Sequence, residues 1–292
     1  MRILLNSKFY AGLGIAELAD KVGGLGYDGV DLCVRPGHPV RPDNVGETLG
    51  KAVRRLEQAG LDCPSVAAPV GMNDPADSAA AALFAAAGEN GVSFVKVGYW
   101  YFAEGDDFDA RLETARRGVA GFAALGRRYG VRACCHTHSG PCLGSNAAGM
   151  RLLLQEEPDV GAYLDFGHLA LDGEDPALAM AMLAPRLCLV GIKDGRHEAR
   201  SGSEPAYAPA FCRLGQGSVD WRRVLGLLNR AGYVGPLIVH TEYGFDESII
   251  RQVGYADTAP ADLDRQAGAD AAFLRRLLSQ TNGHGEEHAY EK

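Results

Sequence analysis

The sequence predicts a single (β/α)8 barrel, and three observations carry that prediction. Apolar runs of strand length alternate eight times with helical stretches, joined mostly by short connections, the pattern of parallel strands with crossover helices. Residues able to do chemistry close several of these runs, always at the same edge. His136 and His138 end VRACCHTH, Asp165 and His168 end VGAYLDFGH, Lys193 ends CLVGIK, and His240 with Glu242 end PLIVHTE. In such a barrel the C-terminal strand ends converge on one mouth, where these folds place their active sites. No GxGxxG follows the first strand, so the open doubly wound sheet lacks its usual mark.

The strands are expected at 2–6, 29–34, 62–68, 93–98, 131–138, 160–165, 187–193 and 236–242. Helices are expected near 15–25, 43–59, 76–90, 108–129, 146–155, 175–184, 219–231 and 262–280. The stretch 108–129 carries apolar residues at helical spacing and stops at a glycine, the usual C-terminal signal. The barrel domain is thus expected to span 1–280. The polar tail 281–292, with His284 and His288, reads as frayed and solvated. Segment 196–221, rich in Gly, Ser, Pro and Ala, is too long for a tight turn. It reads as a long loop after the seventh strand, able to lie over the mouth and cover a substrate.

Side chains alternate across a strand, so the inward set can be assigned one strand at a time. If Leu237 and Val239 pack against helices, His240 and Glu242 face inward. By the same parity His136 and His138 point inward on the fifth strand, Lys193 on the seventh, and Lys96 on the fourth beneath Tyr99 and Trp100. Asp165 ends the sixth strand and Asp31 sits inward on the second. Clustered buried ionisable groups need partners, a metal or a function. Singly, His138 and Lys96 also suit satisfied core residues, and Asp31 suits a structural pair with an interior lysine or Arg35. Asp194 and Asp220 read as caps or salt-bridge partners.

Composition narrows the function classes. The 292 residues are 47% hydrophobic and 23% charged, ordinary for a globular enzyme, with a formal net charge of −8. That charge, with no Lys/Arg-rich tract, argues against nucleic acid as a partner. No apolar run is long enough for a bilayer, and MRILLNSKFYAG lacks the order of a signal peptide, so a cytoplasmic protein is expected. The seven cysteines form no CxxC pair and sit mostly in apolar runs, which suits reduced, buried thiols.

The motifs GLGYDGVDLCVRPG (24–37), YLDFGHLALDG (163–173), GIKD (191–194), LGQGSVDW (214–221) and GYVGPLIVHTEY (232–243) occur in an order and spacing that covers nearly the whole chain. In them the chain resembles the sugar phosphate isomerase/epimerase family of xylose-isomerase-like TIM barrels. That family includes ketose epimerases, hydroxypyruvate isomerases and inosose dehydratases. The resemblance implies a divalent metal held by a Glu, an Asp, a His and a Glu on strands five to eight, the glutamates doubling as acid and base. Here the Asp is kept as Asp165, with His168 in its usual neighbouring place. The two Glu positions read His136 and His240, with Glu242 two residues beyond the latter, and the His position reads Gly191. A rebuilt set of His136, Asp165 and His240, with Glu242 as a fourth donor, would favour Mn, Zn, Co or Fe over Mg. A metal-free alternative has His136 and His240 acting directly as acid and base.

The first functional expectation is therefore an isomerase or epimerase of a small, sugar-like polyhydroxy carbonyl compound. His240 or Glu242 would take the proton beside the carbonyl, His136 would return it, and Lys193, aided by Lys96, would stabilise the enediolate. His138, His168, Tyr99 and Trp100 are candidate substrate contacts. Arg35 is a candidate anion contact, and Arg213 or Gln216 could serve likewise. A dehydratase or lyase on the same scaffold, and a non-catalytic sugar-binding barrel without metal, are the alternatives. The resemblance also brings an expectation of a homo-oligomer.

Overall fold

Every apolar run of the sequence becomes a strand of a closed, all-parallel barrel. The computed structural model describes residues 1–202, 204–243 and 262–283. Its strands are β1 (Ile3–Asn6), β2 (Gly29–Cys33), β3 (Asp62–Ala67), β4 (Phe94–Lys96), β5 (Arg132–His136), β6 (Gly161–Asp165), β7 (Leu187–Ile192), the hairpin β8 (Asp194–Ala199) and β9 (Tyr207–Cys212), and β10 (Leu237–Val239). The barrel closes in the order β1-β10-β7-β6-β5-β4-β3-β2, leaving β8 and β9 as a separate antiparallel pair. Around it lie α1 (Ile15–Gly24), α2 (Val45–Gln58), α3 (Ser78–Glu89), α4 (Phe108–Tyr129), α5 (Ala147–Leu153), α6 (Phe166–Leu171), α7 (Pro176–Leu183), α8 (Trp221–Arg230) and α9 (Leu263–Gly283).

Local signals set the helix ends. Asp107 begins α4 by accepting from the Ala110 N–H, and Gly130 ends it in the left-handed region at φ +69°. Asp175 caps α7 ahead of Pro176 at the first turn, and Asp220 caps α8. Alternation then builds two separate apolar layers. Val30, Leu32, Val95, Val190 and Val239 belong to the continuous core that also holds Leu49, Leu83, Phe122 and Leu225 from the helices. Leu4, Cys134, Tyr163, Cys188, Leu189 and Ile238 form a smaller cluster. Each fully buried leucine stabilises the fold by roughly 1.5–3 kcal/mol.

The segment 196–221 differs from expectation. It is not an irregular loop but contains most of β8 and all of β9, paired from Asp194↔Cys212 to Ala199↔Tyr207. Asp194 anchors the return of this segment, accepting from the N–H groups of Gly195, Gly215 and Val219 and from the Trp221 indole at 2.9–3.1 Å. Backbone pairing gives a Ser- and Gly-rich stretch the order that its composition did not suggest. The short helix α6, begun by Asp165, was also not expected from the sequence.

At the chain's end α9 runs to Gly283, and the rest of the polar tail, with His284 and His288, lies outside the described residues. No helix among the described residues is long and apolar enough to cross a membrane. The seven cysteines form no disulfide with one another, and six of them are buried.

Candidate active site

At the C-terminal end of the barrel a cavity of about 260 Å³ is lined by Lys8, Asp31, Arg35, Lys96, Tyr99, His136, His138, Lys193, His240 and Glu242, with Asn6, Tyr163 and Phe211 among its other walls. Strand order explains the convergence. β5, β6, β7 and β10 are consecutive neighbours, so their C-terminal ends bring His136, Asp165, Lys193 and His240 to one side of the mouth.

Asp165 is the centre of that group. Its Oδ1 accepts from the N–H groups of Gly167 and His168 and so starts α6, while Oδ2 points up between two rings. His136 Nε2 lies 3.3 Å from Oδ2 and His240 Nδ1 lies 3.4 Å from it. Each ring is gripped at its other nitrogen by a tyrosine, Tyr99 OH to His136 Nδ1 at 2.9 Å and Tyr163 OH to His240 Nε2 at 2.8 Å. Gly191 makes room for this carboxylate. A Cβ there would stand 2.6 Å from Asp165 Oδ2, so the side chain lost from β7 is space taken by Asp165.

Burial sets the charges. It pushes His136 down to about 3, against the pull of Asp165, and holds His240 well below the ordinary histidine value, with Lys8 and Lys193 adding to the effect. Burial alone would raise Asp165, but Lys193 and His136 outweigh it and keep the carboxyl below its usual range. Near neutral pH the cluster is two neutral imidazoles and one carboxylate, the protonation state in which these groups ligate metal.

A divalent ion fits these residues. One donor atom each of His136, Asp165 and His240 lie within 4.8 Å of one another, and His136 Nε2 and Asp165 Oδ2 are buried without a hydrogen-bond partner among the described residues. Leaving such atoms unsatisfied is costly, and a cation between them would satisfy both. The tyrosine contacts orient the rings as outer-shell partners of metal-binding histidines do.

Glu242, expected as a fourth donor, stands apart from this set. Its carboxylate pairs with Lys8 and, at 2.9 Å, with Lys193, and it approaches His240 Nδ1 only to 4.0 Å. Lys193 also reaches His168 Nε2 at 2.5 Å. His168 is fully buried, receives the Ser139 N–H on its other nitrogen, and underlies the pocket instead of lining it. Lys96 lies 4.0 Å from the Tyr99 ring centre, and burial followed by Arg35 lowers its pKa to about 7.

Three expectations need correction. Trp100 does not face the pocket; it packs on Phe122, against the place where Gly118 of α4 leaves out a side chain. Arg213 turns away to Asp270 of α9, and Gln216 is exposed outside the pocket. Asp31 is inward, but its oxygens accept from neutral Asn6 and Ser65 at 2.6 and 2.7 Å instead of forming the expected pair. Sequence reasoning also missed Lys8, Tyr163 and Phe211. Lys8 follows the first strand, where the same edge rule applied, and Tyr163 shares the inward parity of Asp165. No pattern marked Phe211, which the hairpin delivers.

The profile of the xylose isomerase-like TIM barrel family matches residues 19–277. Among curated relatives, the rhizopine catabolism protein MocC of Rhizobium meliloti is 30% identical over 149 residues, 48% of this chain and 45% of the relative. Inosose dehydratase of Lacticaseibacillus casei is 27% identical over 146 residues, 47% and 48% of the two chains. The chain thus spans about half the length of the curated relatives it matches. A solved L-ribulose 3-epimerase superposes with a TM-score of 0.71 at 17% identity, covering 99% of each chain. With its barrel and mouth as described, this chain belongs to the xylose isomerase-like TIM barrel family.

Proposed function

We propose that this chain is an enzyme that moves a proton beside the carbonyl of a small, sugar-like polyhydroxy compound, as an isomerase or epimerase. The carrying observation is the convergence of His136 Nε2 and His240 Nδ1 on Asp165 Oδ2, each ring held by a tyrosine at its far nitrogen. In this reading His136, Asp165 and His240 hold a divalent ion. Bound there, the ion would supply Lewis-acid polarisation of a substrate oxygen.

The two histidines are then fixed as ligands, and their lowered basicity suits that role better than direct acid/base work. Glu242 is the group left to take the proton. It lines the pocket, and its ion pairs with Lys8 and Lys193 orient it. For an isomerisation the same carboxylate serves both carbons. For an epimerisation a second group must return the proton from the other face. His138 suits that task, since β5 and β10 are separated around the barrel by β6 and β7. Lys193, beside Glu242, places positive charge where an enediolate oxygen would form.

The inosose dehydratase relatives favour a second reading, in which the same proton removal is followed by loss of a β-hydroxyl. One experiment separates the readings. The protein, supplied in turn with Mn, Co, Zn and Fe(II), is incubated in D₂O with a panel of ketoses, aldoses and inososes, and the products are weighed by mass spectrometry. Deuterium gained without loss of water supports the isomerase or epimerase, and loss of one water supports the dehydratase. Binding of panel members with neither change would refute catalysis and leave a sugar-binding barrel.

A further inference from the structure

We infer that the outer face of α7, with the groove beside it on α5, is the interface of a two-fold homodimer of this chain. The inference stands apart from the proton-transfer reading. The stretch PALAMAMLAP (176–185) holds no charged or polar side chain, in a chain of which 23% is charged. Its helix buries Ala179, Met180 and Leu183 within the fold. The side turned outward is apolar too. Leu178, Ala181, Met182 and Pro185 fall at i, i+3, i+4 and i+7, one stripe that runs along α7 into the turn after it. Leu178 is 56% exposed, Ala181 and Pro185 are exposed, and Met182 is half-buried. The neighbouring α8 has the ordinary arrangement, with Arg222, Arg223 and Arg230 exposed. A helix that is apolar on both faces needs cover on both.

A second copy of the chain fits this face by shape and by charge. Leu178 stands out beside a groove of about 580 Å³ between α5 and α7, lined by Ala148, Leu152, Ala181, Met182 and Pro185. Leu152, 36% exposed, extends the apolar surface onto α5. Knob and groove share one face, so a two-fold axis through the middle of α7 would seat each Leu178 in the other copy's groove. Three acids, Asp172, Glu174 and Asp175, gather at the start of α7 against one arginine, Arg223, which pairs with Asp175 at 2.8 Å. Arg186 follows the end of α7, and Arg151 of α5 flanks the same groove. Two copies of α7 running antiparallel set the acidic end against the basic end twice.

Sedimentation velocity of the full chain tests this. The wild type should be a dimer at micromolar concentration. Leu178→Glu puts a charge into both knobs and should weaken dimerisation by about 100-fold or more. Glutamate suits the third residue of a helix that Asp175 caps, so the circular dichroism spectrum should not change. Met182→Glu, in the groove, should act likewise and gives a result if the first variant does not fold. Cross-linking reads the orientation. Ala181 lies at the middle of the stripe and would meet its own copy across the axis. Ala181→Cys should therefore join two chains through a short bismaleimide, above the wild-type background. Phe108→Cys, at the exposed start of α4, should not. A wild type that stays monomeric at about 100 μM leaves this face to another occupant and overturns the inference. So does a dimer that both glutamate variants leave intact, or cross-linking through Phe108→Cys and not Ala181→Cys.

Discussion

On the strands that present His136, Asp165 and His240 at the mouth, the residues nearer the strand starts are apolar. Cys134, Tyr163, Leu189 and Ile238 cluster on β5, β6, β7 and β10, joined by Leu4 and Cys188. The mouth above them holds neutral imidazoles, three carboxylates and four cations around a cavity. Tyr163 belongs to both regions, its ring in the apolar cluster and its hydroxyl on His240. Burial above this apolar floor explains why the histidines lose basicity. Stability and chemistry are thus separated along a few residues of the same strands, and substitutions at the two ends should fail in different ways.

The largest expected effect is at the mouth. His240→Ala should lower turnover by about 10²–10⁴-fold with the circular dichroism spectrum unchanged; near-normal turnover would remove His240 from the site. At the other end, Leu189→Ala should destabilise the protein by about 2–5 kcal/mol in urea unfolding while turnover per folded molecule stays near normal. A large loss of activity in the folded fraction would show that the two regions are coupled.

Tyr163→Phe probes the residue shared by both. It keeps the ring and removes the hydroxyl, so metal affinity or activity should fall by about 10–100-fold. Stability should change by less than about 1.5 kcal/mol.

The smallest effect is one of pH. The folded protein holds Lys96 near pKa 7, against 10.5 for an ordinary lysine, so between these values the unfolded chain binds more protons. Stability relative to Lys96→Met should therefore rise as pH is raised from 7 towards 10. A flat difference would show that Lys96 keeps its charge in the fold.

Much of this was legible in the sequence, for a physical reason. Period-two alternation and the shared edge of strand ends are local properties, so the eight barrel strands and the inward set of His136, His138, Lys193, His240 and Glu242 could be read directly. What could not be read depends on distance across the fold. Nothing in SKFY shows that Lys8 meets Glu242, 234 positions later, and nothing in YAPAFC shows that Phe211 reaches the pocket. Trp100 went wrong because one residue of register beyond β4 decides between pocket and helix layer. Gly191 read as a lost ligand until the position of Asp165 showed what occupies the space.

The central claim is that His136, Asp165 and His240 are a rebuilt divalent-metal site. Its most direct test is elemental analysis of the purified protein, after reconstitution, for wild type and Asp165→Asn. The account predicts close to one Mn, Co, Zn or Fe per chain in the wild type, and its loss from a variant that remains folded. Absence of metal from the reconstituted wild type, or equal metal in both proteins, would contradict it.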